Sequence, residues 1–114
     1  MKTIREFAPG NRYFYDGGMC SESKGFAQID TSQDASYFGT WANPETLTIV
    51  CYCEGDVTFT TAETPEEFVS EILKIRDWNN QDGNNGFKGI DCGWIENGPI
   101  QKRFESLGLS NLLH

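Results

Sequence analysis

Hydrophobic and polar residues alternate most regularly in the middle of the chain, over residues 46–61. On an extended strand, one face of the first half of this segment carries Leu47, Ile49, Cys51 and Cys53. A three-residue loop at 54–56 pairs Cys51 with Phe59 and keeps one continuous apolar face, whereas a two-residue turn at 55–56 shifts the pairing. We therefore expect a β-hairpin with the three-residue loop.

One helix is indicated both by its start and by its periodicity. Thr64, Pro65 and Glu67 occupy the N-cap, the first and the third helical positions, which is a capping-box pattern. The buried stripe predicted for this helix consists of Phe68, Ile72 and Ile75, flanked by Val69 and Leu73. The pattern predicts a helix that ends at Trp78, because the loop-forming asparagines and glycines of residues 79–86 follow.

The remaining elements are shorter. A second helix is predicted from near Gly98 to Leu107, with Gly108 in the left-handed position of a Schellman ending. Short strands are predicted at 12–15, 25–30 and 35–41, with an ambiguous further segment at 87–96. The rest of residues 1–25 is predicted to be irregular. Together these elements predict one α+β domain over residues 1–114, in which an antiparallel sheet of four to five strands is packed by two helices.

Composition supports a folded chain and restricts its partners. Among the 114 residues, 38% are hydrophobic and 13% are aromatic, which is too apolar for a disordered acidic tail. The 17 acidic residues against 9 basic ones give a formal net charge of −8. Such a field repels nucleic-acid phosphates and anionic lipids and favours the basic surface of a protein or nucleoprotein complex. The alternative, that the charge only maintains solubility, stays open.

The cysteines and the N-terminal segment indicate a cytoplasmic protein. Residues 1–7 contain charges and no apolar run, so a secretory signal is not expected, and no apolar stretch reaches the ~20 residues of a membrane span. Of Cys20, Cys51, Cys53 and Cys92, only the central two are closely spaced, whereas structural zinc sites usually bring two close pairs. We expect thiols in the core and no metal or other cofactor.

No catalytic residue is predicted. The one histidine, His114, is the last residue, and a cysteine or serine nucleophile normally needs a positioned base. The sequence has no phosphate-binding glycine motif, and residues 77–88 fail the EF-hand pattern at its glycine and its final glutamate. A small cysteine-dependent enzyme or metal-binding protein remains the alternative to a binding protein.

A binding surface is the most favoured functional feature. The first helix is expected to expose acidic residues, and the segment around residues 30–41 mixes acids with aromatic side chains, as protein interfaces do. The predicted partner-binding residues are Asp30, Asp34, Tyr37, Trp41, Glu63, Glu66, Glu67 and Glu71. In a half-buried strand, Tyr37 or Trp41 would instead belong to the core.

Three stretches carry a resemblance: Phe26 to Pro44, Gly55-Asp56-Val57 and the ending from Leu107 to His114. With these residues the chain resembles small proteins carried by bacterial plasmids and other mobile elements, over most of residues 25–114. That resemblance implies an inhibitor of host defence, of the anti-restriction or anti-CRISPR kind, and it brings no family-wide active site. The hypothesis is a non-enzymatic protein whose acidic face occupies a basic surface of a nucleic-acid-handling complex.

Overall fold

An antiparallel sheet with two helices forms the framework of the chain, which confirms the predicted α+β class. The structure is a computed structural model, and it describes residues 2–7, 25–30, 38–53, 56–81, 87, 89–90 and 98–113. The strands are β1 (Lys2–Phe7), β2 (Ala27–Asp30), β3 (Phe38–Asn43), β4 (Thr48–Cys53) and β5 (Asp56–Thr61), in the spatial order β1-β5-β4-β3-β2. The helices are α1 (Pro65–Asn79) and α2 (Pro99–Ser106), and a 3₁₀ turn follows at Ser110–Leu112.

The central hairpin has a shorter connection than predicted. Cys53 pairs with Asp56 and Val50 pairs with Phe59, so only residues 54–55 connect β4 to β5. The predicted pairing of Cys51 with Phe59 is therefore wrong, because Cys51 lies opposite Thr58. This register places Val50 and Phe59 on one face of the sheet and Cys51 on the other.

Two strands differ from their prediction. The N-terminal segment, predicted to be irregular, contains β1, which pairs antiparallel with β5. Because β1 contains three charged residues, its sequence lacks the alternation of apolar and polar residues that predicts a half-buried strand. Charged residues are typical of a strand at a sheet edge. The third strand was predicted at 35–41, but β3 runs through Asn43 to the residue before Pro44. The strand predicted at 12–15 lies outside the described residues.

The helix α1 begins as predicted and ends one residue later. Thr64 has extended backbone angles, and its Oγ1 accepts a hydrogen bond from the backbone N–H of Glu67 at 3.2 Å. Phe68 and Ile72 are fully buried. Asn79, predicted to open the loop, is instead the next buried residue on the same face, with 2% of its surface exposed.

The helix α2 ends in the predicted Schellman motif. Gly108 has φ 78°, a left-handed conformation that glycine adopts without a Cβ clash. The N–H of Gly108 donates to the carbonyl of Glu105 at 3.0 Å, and the N–H of Leu109 donates to the carbonyl of Phe104 at 3.1 Å. Leu109 and Phe104 both belong to the hydrophobic core, so the motif closes the helix onto that core.

The central strands β3 and β4 carry buried side chains on both faces. Ala42 and Ile49, paired across β3 and β4, belong to one hydrophobic core with Phe68, Ile72 and Phe104 of the two helices. The rings of Phe68 and Phe104 are stacked, with centroids 6.4 Å apart, so the two helices meet directly.

The opposite face contains a second buried group. Trp41 pairs with Val50, and both are almost inaccessible, as is Val57. Because the helices cover only the first face, these three side chains extend the core to the other side of the sheet.

The described part of the chain contains no helix of the length and apolarity that a bilayer crossing requires. The prediction that residues 1–114 form a single domain stays a prediction.

Candidate functional site

A pocket of about 340 Å³ lies between the helix-facing side of the sheet and the second half of α1. The described residues that line it are Thr40, Cys51, Lys74, Ile75, Trp78 and Asn79. Thr40 comes from β3, Cys51 comes from β4, and the other four come from a single stretch of α1. A pocket of this size, with mainly apolar walls and a few polar groups, is typical of a site for a small ligand or one side chain.

The sheet side of the pocket is formed by a hydroxyl and a thiol. Thr40 lies directly opposite Cys51 in the antiparallel ladder, so the two side chains project from the same face. The Thr40 hydroxyl donates a hydrogen bond to Cys51 Sγ at 3.8 Å. Cys51 is half-buried and Thr40 is 6% exposed, so this side of the pocket presents little polar surface.

The helix side is dominated by Trp78, which is 58% exposed and is the only large hydrophobic side chain with this exposure in the described ranges. Trp78 shares one longitudinal strip of α1 with Glu67, Glu71 and Lys74, because these residues follow one another at spacings of four, three and four. We call these four residues the α1 flank. The strip extends about 16 Å along the helix axis.

The two charged neighbours of Trp78 on the α1 flank form an ion pair. Lys74 Nζ lies 3.0 Å from Glu71 Oε1. The side chain of Lys74 is 70% exposed and that of Glu71 is 25% exposed. Such an exposed pair contributes about 0–1 kcal/mol, so another anion can compete for Lys74 at low cost.

Asn79 places a polar group in the helix wall of the pocket. Its Nδ2 donates to the backbone carbonyl of Ile75 at 2.9 Å. Its Oδ1 is buried and has no hydrogen-bond partner among the residues that the structure describes. An unpaired buried acceptor costs about 1–3 kcal/mol, and here it occurs in a residue that lines a pocket.

The predicted partner-binding residues divide into three groups. Glu63 and Glu66 are exposed at the start of α1, and Glu67 and Glu71 are half-buried on the α1 flank. Trp41 is only 1% exposed and belongs to the core, which was the alternative for this position. Asp34, Tyr37 and the side chain of Asp30 lie outside the described residues.

The cysteine predictions are only partly covered by the structure. Cys51 is half-buried and packs against the hydrophobic core without belonging to it. Cys20, Cys92, His114 and the side chain of Cys53 lie outside the described residues. Within the described ranges, no three His, Cys, Asp or Glu side chains come close enough together to hold a metal ion.

The pocket is not apparent from the sequence. Its sheet and helix walls come from residues 40, 51 and 74–79, which only the strand register and the packing of α1 bring together. The sequence places Trp78 in the last turn of the helix. Its angular position around the helix axis, away from Phe68 and Ile72, is the sequence signal that its side chain is exposed.

The chain finds no match in a comparison with protein-family models, with curated proteins and with solved structures. The resemblance to proteins of mobile elements stays a prediction.

Proposed function

We propose that this protein is a non-enzymatic binding protein that docks the α1 flank onto a cationic surface of a protein or nucleoprotein complex. The observation that carries the proposal is the position of Trp78, whose exposed ring lies on the same strip of α1 as Glu67 and Glu71. An aromatic side chain beside charged residues is the composition of a protein interface, where Trp is enriched among the residues that dominate affinity.

The helix α1 and the two residues before it carry more acidic than basic side chains. Residues 63–79 contain five acidic side chains and two basic ones. Both basic residues already have acidic neighbours, since Lys74 pairs with Glu71 at 3.0 Å and Arg76 pairs with Asp77 at 2.8 Å. By contrast, α2 (Pro99–Ser106) contains two basic residues and one acidic residue. Residues 63–79 therefore contribute −3 to the net charge of −8, whereas α2 contributes +1.

The carboxylates and the tryptophan of the α1 flank contribute differently to binding of the partner. The carboxylates steer a cationic partner toward the helix and raise the association rate, but each exposed pair adds only about 0–1 kcal/mol of affinity. Burial of the Trp78 ring supplies the larger contribution, because an aromatic side chain removes about 150–250 Å² from water when it is fully buried. The class of partner, a nucleic-acid-handling complex, comes from the resemblance to mobile-element proteins.

The proposal is tested by affinity capture from bacterial lysate with two variants of equal charge. Glu67→Gln/Glu71→Gln neutralises the acids of the α1 flank and breaks the 3.0 Å pair with Lys74. The matched control is Glu45→Gln/Glu105→Gln, which removes the same charge elsewhere and breaks the pair between Glu45 and Arg103, also at 3.0 Å.

Captured proteins are compared between the wild type and the two variants by mass spectrometry, from about 0.05 M to about 0.5 M salt. We expect one partner that the wild type and the control variant retain, that the α1 variant loses, and that high salt and Trp78→Ala release. Equal loss in both charge variants would show that only net charge matters. Capture that does not depend on salt would also contradict the proposal.

A further inference from the structure

The pocket beside α1 has the dimensions of a small-ligand site. Its volume of about 340 Å³ lies at the lower end of the range of about 300–1,000 Å³ for such sites, which suits a molecule of one or two rings. Trp78 and Ile75 provide an aromatic and an aliphatic wall on the helix side. A planar aromatic ring placed against Trp78 would bury the surface that this side chain exposes, and ring pairs add about 0.5–1.5 kcal/mol beyond that burial.

The charge at the pocket is opposite to that of the whole chain. Among the described residues that line it, Lys74 is the charged one and none is acidic. Most charges that make up the net −8 lie outside the pocket lining, and salt screens charges that are more than about 8 Å away. Lys74, by contrast, contacts the pocket directly. The pocket therefore favours an anionic group at its rim, where the ligand competes with Glu71 for Lys74.

Asn79 indicates a second polar group that a ligand of this pocket should carry. Its Oδ1 is buried without a hydrogen-bond partner in the described part of the chain, although the residue lines the pocket. Because Oδ1 is buried, a ligand donor reaches it only if the pocket wall shifts on binding. An N–H or O–H group on the ligand ring then supplies the donor that the described residues do not. Pairing this oxygen recovers part of the desolvation cost that the described residues leave uncompensated.

From these three features we propose that the pocket binds a small aromatic acid whose ring carries a hydrogen-bond donor. The ring packs on Trp78, the carboxylate contacts Lys74, and the ring donor pairs with the Asn79 amide oxygen. This site shares Trp78 and Lys74 with the α1 flank, so a bound ligand competes with a docked partner for the Trp78 ring, but it takes a ligand of opposite charge.

The test uses indole-3-acetate as the probe, with binding measured by isothermal titration calorimetry and by amide chemical shifts of the ¹⁵N-labelled full chain. We expect saturable binding with shifts at residues 40, 51 and 74–79. Two related molecules separate the contacts: 1-methylindole-3-acetate lacks the ring donor, and indole-3-acetamide lacks the charge. Each is expected to bind about threefold to tenfold more weakly than the probe.

Variants test each wall with a matched control. Trp78→Ala is expected to weaken indole-3-acetate binding about tenfold. Glu71→Gln releases Lys74 and is expected to tighten binding about twofold to fivefold, whereas Glu66→Gln, the same charge change on the exposed outer side of α1, leaves it unchanged. In Asn79→Leu, indole-3-acetate and its N-methyl analogue are expected to bind equally.

Three results would overturn the proposal: no saturable binding to the wild type, shifts that fall outside the pocket, or equal tightening by Glu71→Gln and Glu66→Gln. The comparison of the methylated and unmethylated probes on the wild type tests the Asn79 contact even if Asn79→Leu does not fold. Glu71→Gln also distinguishes this site from the proposed function, because neutralising Glu71 weakens docking of a cationic partner and strengthens binding of an aromatic acid.

Discussion

Replacement of Gly39 by alanine provides a test of the buried position of Trp41. Gly39 and Trp41 lie two residues apart on β3, so they face the same side of the sheet. A Cβ atom at Gly39 would lie 2.5 Å from Cη2, 2.9 Å from Cζ3 and 3.1 Å from Cζ2 of the Trp41 ring. Carbon atoms in favourable contact are about 3.5–4.0 Å apart, so the ring has to move. With only 1% of Trp41 exposed, the ring has to move against its buried neighbours.

Two effects of opposite sign determine how much Gly39→Ala changes the free energy of unfolding. Alanine loses less backbone entropy than glycine in a strand, which favours Gly39→Ala by about 0.5–1 kcal/mol. Overpacking a filled core costs about 1–3 kcal/mol. The steric cost is the larger, and we expect a net destabilisation of about 1–2 kcal/mol, or a Tm lowered by about 4–8 °C for a domain of this size.

The assay is urea unfolding followed by far-ultraviolet circular dichroism, with a thermal scan for Tm. Trp41→Phe removes the outer ring that the new methyl group meets, so Gly39→Ala is expected to cost at least about 1 kcal/mol less in that background. A Gly39→Ala protein with unchanged or raised Tm would refute the reasoning, because backbone entropy would then outweigh the contact and Trp41 could not be held in a filled site.

Two further predictions concern the helices. Thr64→Ala removes the N-cap acceptor of α1 and is expected to cost about 1 kcal/mol in urea unfolding, whereas Ser70→Ala, at an exposed position of the same helix, is expected to change stability by less than about 0.5 kcal/mol; equal effects would contradict the capping role. For the stacked Phe68 and Phe104 rings, a double-mutant cycle with leucine is expected to give a coupling energy of about 0.5–1.5 kcal/mol, and a coupling of zero would show that the rings pack independently.

Local signals allowed both helices to be predicted from the sequence. Thr64-Pro65 at the start of α1 and Gly108 after α2 act within a few residues, and their effects do not depend on the rest of the fold. The hairpin register depends on more distant contacts. Apolar residues lie on both faces of β4, so keeping Cys51 and Phe59 on one face was a poor criterion for choosing the register.

The candidate site shows the same difference between local and distant effects, and the two described tryptophans illustrate it. Sequence composition placed Trp41 among the partner-binding residues, because acids and aromatic side chains surround it along the chain. Where a strand is buried on both faces, as β3 is, alternation no longer separates core from surface, and Trp41 is buried opposite the helices. Trp78 completes a helical turn whose inward position is taken by Asn79, so its ring faces outward beside the pocket. A small polar residue in the last inward position of an apolar helical stripe, directly after an aromatic residue, is thus the sequence feature that accompanies the candidate site.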